Sequence, residues 1–187
     1  MGPGSGPACD LRLNTTLTEE ERRRYQDPTV IRRLIAGART VAIVGMSADP
    51  QKASSFVASY LQHEGYRIVP VNPRGGHVLG ETIYPDLGSI PIPVDIVDVF
   101  RPPAEAPIFA RQAVAIGAKA LWLQLRIVSF EAAEIAAAAG LDVVMDRCLK
   151  MEHGRFNGTL HWGGMNTEII SARKARLAPA GAPPGRR

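Results

Sequence analysis

The chain has 187 residues, 45% of them hydrophobic and 21% charged, which places it among globular proteins with enough length to fill one domain. Its two cysteines, Cys9 and Cys148, make no C-x-x-C pair, which argues against a disulfide framework or a cysteine-based zinc site and fits a reducing cytosol. No stretch approaches the ~18 uninterrupted apolar residues of a membrane span, and MGPGSGPACD lacks the basic and apolar regions of a secretion signal, so a cytoplasmic protein without a membrane partner is expected.

The net charge of +4 is unevenly placed. Residues 41–146 hold 7 Lys/Arg against 11 Asp/Glu, and the two ends hold 15 against 7. Arg22, Arg23, Arg24, Arg32 and Arg33 fall in helical patterns beside Glu19, Glu20 and Glu21, which describes a solvated helix face. No aromatic residues are interleaved with these charges, so no specific nucleic-acid partner is expected. Residues 1–18 read as a flexible N-terminus, 19–153 as the domain, and 154–187 as a basic Gly/Pro-rich tail whose LAPAGAPPGRR end has the composition of disorder.

In chain order, Asp27 predicts a helix N-cap with Pro28 at the first helical position, and TVIRRLIAG repeats apolar residues at helical spacing up to Gly37. Alternation follows. A strand over TVAIV (40–44) leads to a helix over SFVASYLQHE that closes at Gly65. A strand over YRIVPV (66–71) precedes a Gly/Pro-rich loop and a strand over VDIVDVF (94–100). A helix through EAPIFARQAVAI closes at Gly117, a strand covers AKALWL (118–123), a helix over SFEAAEIAAAA closes at Gly140, and a last strand covers LDVVM (141–145). The strands are almost continuously apolar, as expected where both sheet faces are covered. The pattern predicts an α/β fold, a five-stranded parallel, doubly wound sheet with helices on both faces.

Ligands of such sheets sit outside the carboxyl ends of the strands, near the point where strand order reverses. The first loop, GMSADPQKASS, opens a helix whose free N–H groups favour an anion; Ser47, Ser54 and Ser55 add hydroxyls and Lys52 a charge. Self-capping by the same serines is the bland alternative. The loop has one glycine where a dinucleotide fingerprint has three. An NAD-binding domain commonly ends its second strand with a carboxylate for the ribose, yet here that strand ends Val71, Asn72, Pro73, Arg74. The Arg74 guanidinium suits a phosphate on the ribose, and two adenine cofactors carry one, NADP and coenzyme A. The prolines of VFRPPAEAP stiffen the third loop into an apolar wall, with Arg101 at its rim. The histidines lack metal-site spacing, and Asp95 and Asp98 are expected to face solvent or a helix end.

These features resemble the small stand-alone CoA-binding proteins of bacteria and archaea, whose Rossmann-like domain is similar to that of the succinyl-CoA synthetase alpha subunit and of ADP-forming acyl-CoA synthetases. The resemblance runs from about Tyr25 to His153, through YQDP, VAIVGMSADP, GYRIVPVNP, VLGETIYPDLGSIP, VDIVDVFRPP, IGAKALWLQL and VMDRCLKMEH. It implies that Gly45, Met46, Ser47, Lys52 and Ser55 surround a diphosphate, that Asn72, Pro73 and Arg74 surround a phosphorylated ribose, and that Phe100, Arg101 and Pro102 lie on the adenine or pantetheine side with Gln124 and Leu125 nearby. Two departures stand out: Arg126 replaces a glycine that the family often has after WLQL, and a further glycine often found near Phe56 is missing. The synthetases also carry a phosphohistidine in a separate domain, for which this chain has no room.

The expectation is therefore a protein that binds coenzyme A or an acyl-CoA and catalyses no reaction itself. An NADP-dependent oxidoreductase, or a regulatory or scaffold protein acting through basic tails, is the alternative; a homo-oligomer or a protein partner stays open. Topology also places Cys148 just past the fifth strand, on the ligand edge. Arg147 beside it is expected to favour thiolate, making a mixed disulfide with CoA available. The plain alternative is a buried apolar filler.

Overall fold

Each glycine-closed helix and apolar run takes its expected place in the computed structural model, which describes residues 17–156. Most of the expected N-terminal segment, most of the basic tail, Cys9 and His161 lie outside the described residues. Helix α1 (Glu19–Tyr25) starts in a capping box between Thr18 and Glu21. Helix α2 (Pro28–Gly37) starts where the Asp27 carboxylate accepts the Thr29 N–H. Then come β1 (Thr40–Val44), α3 (Ala53–His63), β2 (Arg67–Val71), a short hairpin β3 (His77–Val78) and β4 (Glu81–Thr82), β5 (Ile96–Val99), α4 (Ala106–Ala115), β6 (Ala120–Leu123), α5 (Phe130–Ala138), β7 (Asp142–Val144) and α6 (Leu149–Phe156).

The sheet order is β2-β1-β5-β6-β7, with every neighbouring pair parallel. The chain steps from β1 to β2 in one direction and then returns past β1 to β5, so the switch point lies between β1 and β5. Alternating side chains of each strand build two apolar layers. Val44, Val71, Val99 and Leu123 pack with Ala110, Ala113 and Ala132 of α4 and α5. Ile43, Ile68, Ile96 and Trp122 pack with Ile31, Val57, Leu61 and Leu149 of α2, α3 and α6.

Three differences from the sequence expectation have physical causes. Asp98 does not face solvent or a helix end. It occupies the second position from the end of β5, opposite Ile43 and Trp122, and is fully buried on the side of α3 and α6. The Gly/Pro-rich loop contains the β3–β4 hairpin, whose two-residue strands are too short to show a period. Helix α6 (Leu149–Phe156) follows the last strand where no element was expected; Gly154 within it hides its helical pattern.

Asp95 does lie beside a helix end, at the opposite edge of the sheet, where the chain passes from α2 into β1. Its carboxylate accepts the N–H groups of Arg39 and Thr40 at 2.8 and 3.0 Å and pairs with Lys119 Nζ at 2.7 Å. Burial opposes its charge, but these hydrogen bonds outweigh burial and hold the carboxyl below its usual range.

Candidate functional site

The carboxyl ends of the strands are stitched into one continuous edge. After β1, Gly45 and Met46 both donate their N–H to Val71 O, at 3.0 and 3.2 Å. Asn72 at the end of β2 returns a bond from Nδ2 to Met46 O (2.8 Å), while its Oδ1 accepts the Arg74 N–H (3.0 Å), forming the turn that holds Pro73. Asn72 N–H in turn donates to Tyr84 O (2.9 Å), so the segment after the hairpin braces this turn. On the other side of β1, Phe100 donates to Val44 O (2.9 Å), Gln124 to Val99 O (3.3 Å) and Arg147 to Leu123 O (3.4 Å).

Gly45 has φ +82°, in the left-handed region, and the Arg101 stem lies across it: a Cβ there would be 2.9 Å from Arg101 Cδ. Glycine meets both demands. The Arg101 guanidinium is paired twice with Glu105, at 2.9 Å each, so its charge is already matched. Pro102 caps the short 3-10 turn that opens α4.

The start of α3 is poised differently. Lys52 is its N-cap and makes no side-chain capping bond. The N–H groups of Ala53, Ser54 and Ser55 have no acceptor among the described residues. The Ser54 hydroxyl, the natural candidate for self-capping, accepts the Ser47 N–H at 3.1 Å. The Ser47 hydroxyl accepts the Asp49 N–H at 3.1 Å and so keeps a proton to donate. An open helix start with a lysine and a hydroxyl beside it can hold a phosphate group. Arg74 and Lys52 are in no ion pair among the described residues.

The expected residues play unequal parts. Met46 turns its side chain into the core, at 1% exposure, and offers the edge its backbone alone. Ser55 is buried at the first turn of α3, whereas Leu125 is half exposed. Gln124 is buried, and its Nε2 donates to both carboxyl oxygens of Asp98 at 3.0 Å. Burial pushes the Asp98 carboxyl up to about 8, with the Gln124 bond opposing it.

Cys148 is half-buried beside the same apolar layer. The expectation of a thiolate is corrected here. Burial pushes the thiol up, ahead of the opposing N–H groups of Met151 and Lys150, and the nearby Asp98 adds to the rise. Arg147 is engaged elsewhere, with Nη1 3.7 Å from Glu152 Oε1.

Sequence reasoning missed Asp98 and Phe56. Phe56 is 59% exposed on the first turn of α3, with Lys150 Nζ 3.9 Å from its ring centroid. The His153 ring is also buried, between Tyr60 and Tyr66, with Nδ1 3.0 Å from the Tyr60 hydroxyl; it serves packing at the far side of α3.

A doubly wound sheet with an open helix start beside its switch point defines the nucleotide-binding class of α/β domains. Within that class, residues 39–154 match the family model described as a CoA binding domain, and the chain belongs to that family. It is 34% identical over 123 residues to the uncharacterized protein YneT of Bacillus subtilis (strain 168), spanning 66% of this chain and 91% of that one. It is similar to the structure of Prb, a PH1109 protein redesigned for binding, with a TM-score of 0.68 and 37% identity over 70% of this chain and 92% of that one. A dinucleotide-forming acetyl-coenzyme A synthetase of Ca. Korarchaeum cryptofilum shares the fold at 22% identity, with a TM-score of 0.54 over 62% of this chain and 28% of that one.

Proposed function

We propose that this chain is a cytoplasmic protein that binds coenzyme A or an acyl-CoA across the carboxyl edge of its sheet and does not itself transform it. The observation that carries the reading is the open start of α3, where three N–H groups next to the Ser47 hydroxyl and Lys52 have no acceptor among the described residues. In this reading Gly45, Met46, Ser47, Lys52 and Ser55 surround the diphosphate. Asn72, Pro73 and Arg74 hold the phosphorylated ribose, where a cation stands in place of the carboxylate that would hold a bare ribose. Phe100, Arg101 and Pro102 with Gln124 and Leu125 flank the pantetheine arm, and Cys148 lies at its far end.

The residues fit this ligand on electrostatic grounds. The anionic groups of CoA meet N–H dipoles and two cations that no carboxylate neutralises among the described residues. NADP shares the ribose phosphate, so calorimetric titration with CoA, NADP, NAD and ATP tests the reading. CoA is expected to bind most tightly. NADP binding as tight as CoA, or tighter, contradicts it.

A further inference from the structure

A cavity of about 210 Å³ lies at the far end of α3 from its open start, where α2 and α3 both terminate. Ile35 and Ala36 of α2, Arg39 after it, Glu64 at the C-cap of α3, Tyr66 and His153 line it. His153 is only 4% exposed yet belongs to this wall, so what little of it meets open space meets it here. Its Nδ1 is spent on the Tyr60 hydroxyl at 3.0 Å, and its ring is held edge-on by Tyr60 and Tyr66. Nε2 has no partner among the described residues, and it is not sealed in: the enclosed partnerless atoms there belong to Arg22, Arg147, Glu152 and Arg155. Whichever tautomer the ring adopts, Nε2 has one hydrogen bond left to make.

The charges around this cavity do not neutralise one another. Arg39 and Glu64 are both exposed, and neither is in an ion pair among the described residues. The Tyr66 hydroxyl, which donates to Ile35 O at 2.7 Å, feels both with opposite signs, so both stand near it; burial above all pushes that hydroxyl up to about 12. The ends of α2 and α3 add negative partial charge. The Arg39 and Thr40 N–H groups, which would extend α2, go to Asp95 instead and leave the Ala36 carbonyl without a helical donor. A simple anion here meets Glu64 and two helix ends, and a simple cation meets Arg39. A ligand that carries both charges satisfies every group.

We propose that this cavity binds a free α-amino acid with a short aliphatic side chain, its carboxylate on Arg39, its ammonium at the ends of α2 and α3 beside Glu64, and its remaining hydrogen bond on His153 Nε2. The size agrees: a cavity of ~150 Å³ takes benzene, so about 210 Å³ takes a molecule the size of L-valine. Ile35 and Ala36 give the side chain an apolar wall. The proposal stands apart from the CoA reading, because the diphosphate of that reading sits at the other end of α3.

The test is calorimetric titration of the full chain with L-valine, isobutylamine and 3-methylbutanoate, the last two being valine without its carboxylate and without its amine. L-valine is expected to bind about tenfold tighter than either, the scale of one hydrogen bond to a charged group. Arg39→Gln is expected to bring L-valine down to the affinity of isobutylamine, and Glu64→Gln to weaken it about as far. Neither variant is expected to lower the melting temperature of the free protein, since both residues are exposed and in no ion pair among the described residues, and both variants are expected to keep wild-type affinity for CoA. The absence of saturable binding of L-valine overturns the proposal. So does either partial analogue binding as tightly as L-valine, or Arg39→Gln binding L-valine like wild type. A protein that binds L-valine and not CoA supports this proposal and removes the CoA reading alone.

Discussion

Arg101 lies across Gly45 so closely that a single added carbon at position 45 would sit 2.9 Å from Arg101 Cδ. The contact joins the loops after β1 and β5, the two strands that flank the switch point. Gly45→Ala meets both this stem and a φ of +82°. The left-handed backbone alone costs about 1–2 kcal/mol, and chemical denaturation is expected to show that loss. Adding Arg101→Ala removes the crowding and leaves the backbone cost. The double variant should therefore lose less than the sum of the two single ones, and strict additivity would show that the stem does not press on position 45.

Arg74 has no ion-pair partner among the described residues. If it meets the ribose phosphate, Arg74→Ala weakens CoA by ~1.5–3 kcal/mol, the scale of a hydrogen bond to a charged group. Dephospho-CoA, which lacks that phosphate, keeps its affinity. Equal losses for the two ligands would assign Arg74 to the turn instead.

Arg126 stands at φ +64°, and its N–H reaches Asp146 Oδ1 at 2.6 Å. A glycine adopts this backbone without strain. Arg126→Gly is expected to stabilise the fold by about 1 kcal/mol, because the left-handed penalty disappears while the N–H bond remains. A thermal melt that moves downward contradicts this.

Asp98 links stability to pH. Its carboxyl is raised from 3.8 to about 8 on folding, so the folded state holds the proton that the unfolded chain has released. Its contribution is fully present below the unfolded value and is lost as pH rises toward about 8, at roughly 1 kcal/mol per pH unit. Asp98→Asn cannot titrate. Denaturation from about pH 5 to about pH 8 should show the variant gaining on wild type as pH rises; parallel curves would place Asp98 in contact with water or a cation.

Cys148 should react slowly, since burial raises its thiol and Arg147 faces Glu152. Folded protein incubated with CoA disulfide at neutral pH is expected to keep its intact mass at Cys148. A reductant-sensitive adduct there, abolished by Cys148→Ser, would restore the redox reading.

The sheet was legible because burial on both faces leaves continuous apolar runs such as TVAIV, and because Gly65, Gly117 and Gly140 close the helices between them. The loops at the switch point were legible from topology alone. Asp98 was not, since a carboxylate in VDIVDVF alternates like a solvent-facing residue, and its partner Gln124 is 26 positions away. Nor could sequence show that Ser54 spends its hydroxyl on the Ser47 N–H, leaving the start of α3 open. Both features depend on contacts between loops that only the sheet order brings together.

Mapping backbone amide shifts of isotopically labelled protein during titration with CoA tests the central claim most directly. The account predicts perturbations at Gly45, Ser47, Ser54, Ser55, Arg74 and Gln124, along one edge of the sheet, with Arg39, Thr40 and Lys119 at the opposite edge unmoved. Shifts centred on Arg39 and Lys119, or no shifts at saturating CoA, would contradict it.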